Sequence, residues 1–382
     1  MTNHPPTDLL LVDPVKIVLT QERLAKDDPA LAPALAALRL AASQALATPV
    51  LSVTFKQRLA PSGDPHDYLS MGPYWWPDPT SPDGQPYIRR DGERNPETEQ
   101  YDSPRLKQLV AAVNSLAWGG FFTGEPAFLQ HAALLVRAWF LDEATRMNPH
   151  LDYGQFIPGV CEGRGIGIID TSTVFPTLLD AVQVLVASGA LTPAEESAIH
   201  AWMAAYLDWS INSANGREEA VQHNNHGTWY DVQLAALALF NHQPDLAARV
   251  CDSARERRIQ TQIQPDGSQP HELVRTRSLS YTTMNLTAFL NLAVLAEQVE
   301  VDLLNYEGPD GRSIRWALEW LLPYAANRQP WTGQQLIPVE PGAFISLFRR
   351  AAIACREGRF EQVLAAWPQE SQKNLVQLLY PL

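Results

Sequence analysis

Apolar positions recur at a helical period through most of this chain. The spacing predicts helices over residues 30–47, 103–122, 125–145, 173–188, from Thr192 onward, 227–240, 245–263, 283–299, 313–326, 342–357 and 370–378. Boundary residues support several of these. Ser103-Pro104 has the form of an N-cap followed by proline at the first helical position. Gly189 suits a C-cap, and Thr192-Pro193-Ala194-Glu195 suits a helix start with acid in its first turn. Alternating β-branched residues are scarce, so the pattern predicts an all-α chain without a large sheet. No exact repeat occurs, but helices of similar length follow one another. Antiparallel pairs of this kind pack into a single α/α toroid, an incomplete barrel whose loops leave a cleft at one rim.

The helical pattern breaks at residues 63–102, a stretch rich in Pro, Gly, Asp and aromatics. Loops of this length are usually functional or disordered. Tyr68, Tyr74, Trp75, Trp76 and Tyr87 argue for order. No low-complexity linker divides the chain, so residues 1–382 are expected to form one domain, with the aromatic loop over the cleft. Composition then narrows the partners. Apolar residues fill 46% of positions and charged residues 19%, which excludes wholesale disorder. A formal charge of −13 excludes a general binder of nucleic acid or anionic membrane, because neutralising phosphates needs a basic footprint. Cys161, Cys251 and Cys355 are too few and too widely spaced for a disulfide framework or a zinc ribbon. No segment approaches the roughly 18 apolar residues of a membrane span, and the run from Leu9 to Val12 is too short for an export signal. The chain is expected to be soluble, either cytoplasmic or exported with its signal removed, and monomeric or weakly oligomeric. No cofactor is implied.

Three segments hold the candidate chemistry. In the first, Tyr74-Trp75-Trp76 offers flat aromatic faces that suit the C–H faces of sugar rings. The plainer alternative is that Trp75 and Trp76 pin a long loop to the core. Downstream, Arg89, Arg90 and Arg94 serve an anionic ligand or pair with Asp91 and Glu93, and pairing is expected for two of the three.

The second segment runs from Glu218 and Glu219 through His223, Asn224, Asn225 and His226 to Trp229 and Tyr230. His223 and His226 are three apart, a spacing a metal can use on a helix, but a site would need His271 or Glu272 to fold in. Asn224 or Asn225 suits an N-cap. One Asn suffices for that, which leaves the other Asn and both His for other work.

In the third, Pro265-Asp266-Gly267 signals a turn, and Arg275, Arg277 and Tyr281 follow. A phenol beside guanidinium groups is more readily held as phenolate. The alternative, that the arginines neutralise Glu272 and other local acids, suffices for Arg277 alone but not for Arg275 with Tyr281.

Taken together, SMGPYWWPDPTSPDGQPYIRRDGERNPE, NNHGTW and PDGSQPHELVRTRSLSY resemble, in that order, the alginate-lyase-like polysaccharide lyases. The blocks lie between Tyr68 and Tyr281, and the helical remainder is compatible with that family's α/α toroid. The resemblance implies β-elimination on uronate polymers. It places Asn225 and Arg275 at the positions that neutralise the substrate carboxylate, His226 at the active-site histidine and Tyr281 at the tyrosine that handles protons. Tyr74, Trp75, Trp76, Glu219, His223, Asn224, Trp229 and Arg277 are expected to bind substrate, Glu219 by orienting His226 or meeting sugar hydroxyls. Arg275 and Tyr281 are six residues apart, one fewer than in some alginate-specific members, so glucuronan-type or mixed specificity stands beside alginate.

The implied partner is an anionic polysaccharide or oligosaccharide. Abstracting the proton at C5 of a uronate builds an enolate-like dianion, and donors placed where that charge develops lower the barrier. Where C5–H and the glycosidic oxygen on C4 share a face, Tyr281 alone suffices as base and then acid. Where they lie on opposite faces, His226 is the natural base and Tyr281 the acid. Two alternatives belong to other classes. A glycoside hydrolase on a helical toroid needs two carboxyl groups about 5–9.5 Å apart, with Asp78, Asp152, Asp170, Glu219 and Glu272 as candidates. A non-catalytic sugar-binding protein would keep its function in Tyr281→Phe.

Overall fold

The computed structural model describes residues 6–382. Helices dominate the described residues, and the strands are two short pairs, as expected of an all-α chain. The chain forms two compact units. One holds the N-terminal residues to Ala41, residues 122–124 and His223–Leu382. The other holds Ala42–Phe121 and Glu125–Gln222.

In the unit built from Ala42–Phe121 and Glu125–Gln222, Pro126–Phe140 packs against Phe175–Ala187 and Pro193–Asn212. The contact is aromatic: Phe140 meets Phe175 and Trp202 edge-on, and Tyr206 stacks on Trp202. Local signals set the helix ends. Phe175–Ala187 stops where Gly189 takes φ +73, the left-handed geometry that glycine adopts without strain. Pro193–Asn212 opens on a capping box: Glu195 N–H donates to Thr192 Oγ1, and Thr192 N–H donates to Glu195 Oε2. Glu195 also binds the Arg137 guanidinium, with one contact of 3.1 Å to Nη2, and this pairing holds its carboxyl down at about 2. A depressed carboxyl stabilises the fold above its ordinary value near 4.5, and that stability is lost as pH falls toward 2. Glu195→Gln is therefore expected to lose about 1–2 kcal/mol at neutral pH, after allowing for screening of a partly exposed pair. Denaturant melts should show wild type and variant converging as pH drops from 4.5 toward 2.

The aromatic stretch is ordered in this unit. Trp75–Trp76 pairs antiparallel with Ile88–Arg89. Asn95 Nδ2 donates to Trp75 O at 2.8 Å, and Trp76 Nε1 donates to Glu93 O at 2.9 Å. Two of the three arginines are spent in ion pairs, Arg89 with Asp91 and Arg94 with Glu99. Arg90 lies 5.1 Å over the Trp76 ring instead. Leu69–Met71 pairs in parallel with Tyr153–Phe156, and the buried Asp170 accepts from Tyr68 Oη, Ser70 Oγ and Gln155 Nε2. The helix expected from Ser103 starts one residue earlier, at Asp102, whose carboxylate is buried. It accepts from Leu69 N at 2.9 Å and pairs with Lys56 Nζ at 3.3 Å. Burial lifts Asp102 to about 6 in spite of the cation.

In the other unit, Asn225–Phe240 packs against Ser278–Glu297 and Pro244–Ala254, and Ser278–Glu297 packs against Ile314–Ala325 and Pro341–Cys355. The stretch expected as one helix over 245–263 changes at Arg255–Ile259 to the wider π geometry, where Arg258 turns inward to a bidentate pair with Asp231 at 2.7 and 3.1 Å. An unanticipated helix, Pro14–Ala25, is capped by Asp13 Oδ1, which accepts from Val15 N at 2.8 Å. The helix expected over 370–378 is broken into Pro368–Lys373 and Val376–Leu379.

Two helical stretches, Gly165–Ala187 and Ser278–Glu297, are long and apolar enough to cross a membrane, contrary to the sequence expectation. Of their apolar windows 78% and 67% are buried inside the protein, the mark of core helices rather than lipid-facing ones.

Candidate active site

Asn225, His226, Arg275 and Tyr281 all belong to the unit that contains His223–Leu382. The two asparagines divide their work. Asn224 is the N-cap of Asn225–Phe240, its Oδ1 accepting from His226 N at 3.2 Å. Asn225 turns to Glu272 instead. Its backbone N–H donates to Glu272 Oε1 at 2.6 Å and its Nδ2 to Oε2 at 2.8 Å. Asn225 is 1% exposed and Glu272 is fully buried. Asn225 Oδ1 has no hydrogen-bond partner among the described residues.

Glu272 lies in the single turn Pro270–Leu273. Burial pushes its carboxyl up; the two Asn225 donors and the charges of Arg275 and His226 pull it back toward ionisation. One carboxyl thus couples to three of the four candidate residues. In the sequence it stood out only as a metal ligand, a hydrolase carboxyl or an arginine's partner, and its hold on Asn225 was missed. Glu272→Ala leaves two buried donors unpaired, at about 1–3 kcal/mol each. Thermal or denaturant unfolding should show a loss on that order, with turnover falling as Asn225 comes loose.

Arg275 follows directly, its N–H donating to Glu272 O at 3.2 Å. Its Cζ stands 3.9 Å from the centroid of the Tyr281 ring, and both side chains are half-buried. The guanidinium lies against the face of the phenol, the arrangement that spacing alone suggested. Attraction between cation and ring holds the two together. Tyr281 sits in the first turn of Ser278–Glu297, and this helix begins five residues before the expected start at Thr283.

The remaining expected binders are scattered. His226 is half-buried. Arg277 is half-buried at the N-cap position of Ser278–Glu297 without capping it, and its Nε has no hydrogen-bond partner among the described residues. His223 is exposed, with its ring 5.8 Å from that of His271. His271 does fold toward it, but no group of three His, Cys, Asp or Glu among the described residues is arranged to hold a metal. Trp229 is 5% exposed, so little of its ring is open to serve as a sugar platform. Glu219, in the other unit, is fully buried at the end of Ala214–Ala220, which removes both the solvated carboxylate and the sugar-hydroxyl contact. Tyr74, Trp75 and Trp76 belong to that unit too and are half-buried, with Arg164 5.8 Å over the Trp75 ring.

Known proteins agree with the family resemblance seen in the sequence. The family model described as alginate lyase matches residues 52–331. No curated protein sequence matches the chain. Among solved structures, an alginate lyase from Bacteroides ovatus is 38% identical, with 98% of this chain and 99% of that chain covered and a TM-score of 0.93. Alginate lyase A1-III from Sphingomonas species A1 is 16% identical over 92% of this chain and 89% of its own, with a TM-score of 0.55. A variant of A1-III complexed with a tetrasaccharide gives 16%, 92%, 91% and 0.58 in the same terms. At that identity the A1-III likeness is one of fold, the α/α toroid expected from the sequence. Matched by the family model over residues 52–331 and 38% identical to a relative along nearly its whole length, the chain belongs to the alginate lyase family.

Proposed function

We propose that this lyase cleaves 1,4-linked uronate polymers of mannuronate or glucuronate configuration, with Tyr281 moving the proton while Asn225, His226 and Arg275 hold the developing charge. The observation that carries the reading is the Arg275 guanidinium 3.9 Å from the Tyr281 ring centroid. An ordinary phenol titrates near 10 and is a poor base at neutral pH, so a base of this type needs a cation beside it. The same guanidinium is a donor for the substrate carboxylate.

In mannuronate and glucuronate C5–H and O4 share a face, so one phenolate serves both ends of the reaction. Tyr281 takes the C5 proton, the C4–O4 bond breaks, a C4–C5 double bond forms, and the proton returns to the leaving O4. Nothing else is consumed. Asn225 Nδ2 carries two hydrogens; Glu272 takes one, and the second is assigned to the substrate carboxylate. His226 completes the set as donor, and Arg277 extends the positive charge along the chain path.

The relatives' names support the substrate class: one is an alginate lyase, and a variant of another is complexed with a tetrasaccharide. Hydrolysis by two carboxyl groups is disfavoured because Glu272 is buried and already engaged by Asn225. Tyr74, Trp75 and Trp76 are assigned to sugar-ring contact.

The test is a panel of polymannuronate, polyguluronate, glucuronan, pectate and hyaluronan, scored by ultraviolet absorbance of unsaturated ends. Polymannuronate or glucuronan is expected to give such ends faster than polyguluronate. New reducing ends without absorbance on every polymer would instead mean hydrolysis and refute the assignment.

A further inference from the structure

The helix that carries Tyr281 lacks a local cap. A helix leaves its first amides without intrahelical partners, and Ser, Thr, Asp or Asn normally supplies an acceptor from the N-cap position. Here the N-cap is Arg277, whose side chain offers none. The acceptors come from a segment between Ile314–Ala325 and Pro341–Cys355. Gln334 O accepts from Ser278 N at 2.9 Å. Gln335 Oε1 accepts from both Leu279 N at 2.9 Å and Ser280 N at 3.3 Å, and Gln335 Nε2 donates to Ser280 Oγ at 2.7 Å. Leu336 N donates to Thr276 O at 3.0 Å, completing a bridge between Arg277 and Gln335.

The strap is itself anchored. Trp331 packs edge-on against Tyr324 and Trp320 and donates from Nε1 to Ser278 Oγ at 3.0 Å. Gly333 passes so close that a Cβ there would stand 2.7 Å from Ser278 Oγ and 2.7 Å from Trp331 Nε1. The bonds that Gln334, Gln335 and Leu336 make to the helix start fall on residues 276–280, between Arg275 and Tyr281. The family match ends at residue 331, so Gln335 lies beyond it.

We propose that Gln335 is a positioning residue for the elimination: by capping the first turn of Ser278–Glu297 from outside, it fixes Tyr281 under the Arg275 guanidinium. A remote cap also frees position 277 for a cation in place of a capping residue. The proposal rests on the assignment of Tyr281 as the proton carrier, and it adds what sets that residue's placement.

The test pairs Gln335→Ala with Gln335→Glu. The alanine variant removes the acceptor; the glutamate variant keeps one for Leu279 and Ser280 and lets Ser280 Oγ donate to it, losing only the Gln335 Nε2 bond to Ile337 O. In Gln335→Ala, hydrogen exchange of the peptide covering residues 276–281 is expected to rise. Its kcat on polymannuronate or glucuronan should fall on the order of 10–100-fold, the scale of a small misplacement of a reacting group, with KM changed far less. Gln335→Glu should restore both the protection and most of kcat. Gly333→Ala, whose Cβ would press on Ser278 Oγ and Trp331 Nε1, should reproduce the loss. Unchanged exchange and turnover in Gln335→Ala would overturn the proposal, as would losses that Gln335→Glu fails to restore. The exchange measurement does not depend on substrate, so an absence of unsaturated ends from the wild-type protein would count against the elimination and leave the cap to be judged on exchange.

Discussion

Tyr281→Phe is expected to lower kcat on a mannuronate- or glucuronate-type polymer by about 10²–10⁴-fold, the usual range for a lost general acid or base. The substitution is narrow. Phenylalanine keeps the ring on whose face Arg275 lies, so the cation stays in place and the substrate carboxylate keeps its donor. Tyr281 is half-buried in a first helical turn, so the fold should survive, which circular dichroism and a melt would verify. Because only the hydroxyl leaves, KM should move little. A variant turning over within about threefold of wild type would remove Tyr281 from the proton path.

His226→Ala is the second large effect. On a same-face polymer the histidine is proposed to act on the substrate carboxylate, and losing one such donor typically costs about 10²–10³ in rate. The helix start should not suffer, because the Asn224 cap binds the backbone N–H of position 226, which alanine retains. The buried Glu272 would lose one of the neighbours that help hold its carboxyl ionised, so that carboxyl should move further up. On polyguluronate, where C5–H and O4 lie on opposite faces, His226 would be the base itself. Any wild-type activity there should vanish in the variant. Steady-state rates on both polymers check this; equal, small losses on the two would separate His226 from the chemistry.

How much of this was legible in the sequence depended on the distance over which each signal acts. The helix start at Thr192 and the stop at Gly189 are local signals, and the structure has both where expected. Arg275 and Tyr281 lie within two helical turns of chain, so their contact could be anticipated from spacing. The pairing of Asn225 with Glu272 joins residues 47 apart, and no local pattern announces it. The start of the Tyr281 helix was missed for the same reason, since its cap arrives from a residue 56 positions beyond Leu279. Burial also overrode local chemistry. Glu219 and Trp229 look like site residues in a polar, aromatic segment, yet the fold turns both inward. Asp102 is likewise turned inward, its carboxylate meeting Lys56 and Leu69 N–H across gaps that no local pattern announces.

The claim beneath all of this is that bond cleavage begins with loss of the C5 proton. Its most direct test is the rate of unsaturated-end formation from polymannuronate carrying deuterium at C5, set against the ordinary polymer. A slower rise in absorbance with the deuterated polymer is the predicted result. Chains cut at the same rate with either isotope, and without any gain in absorbance, would contradict it.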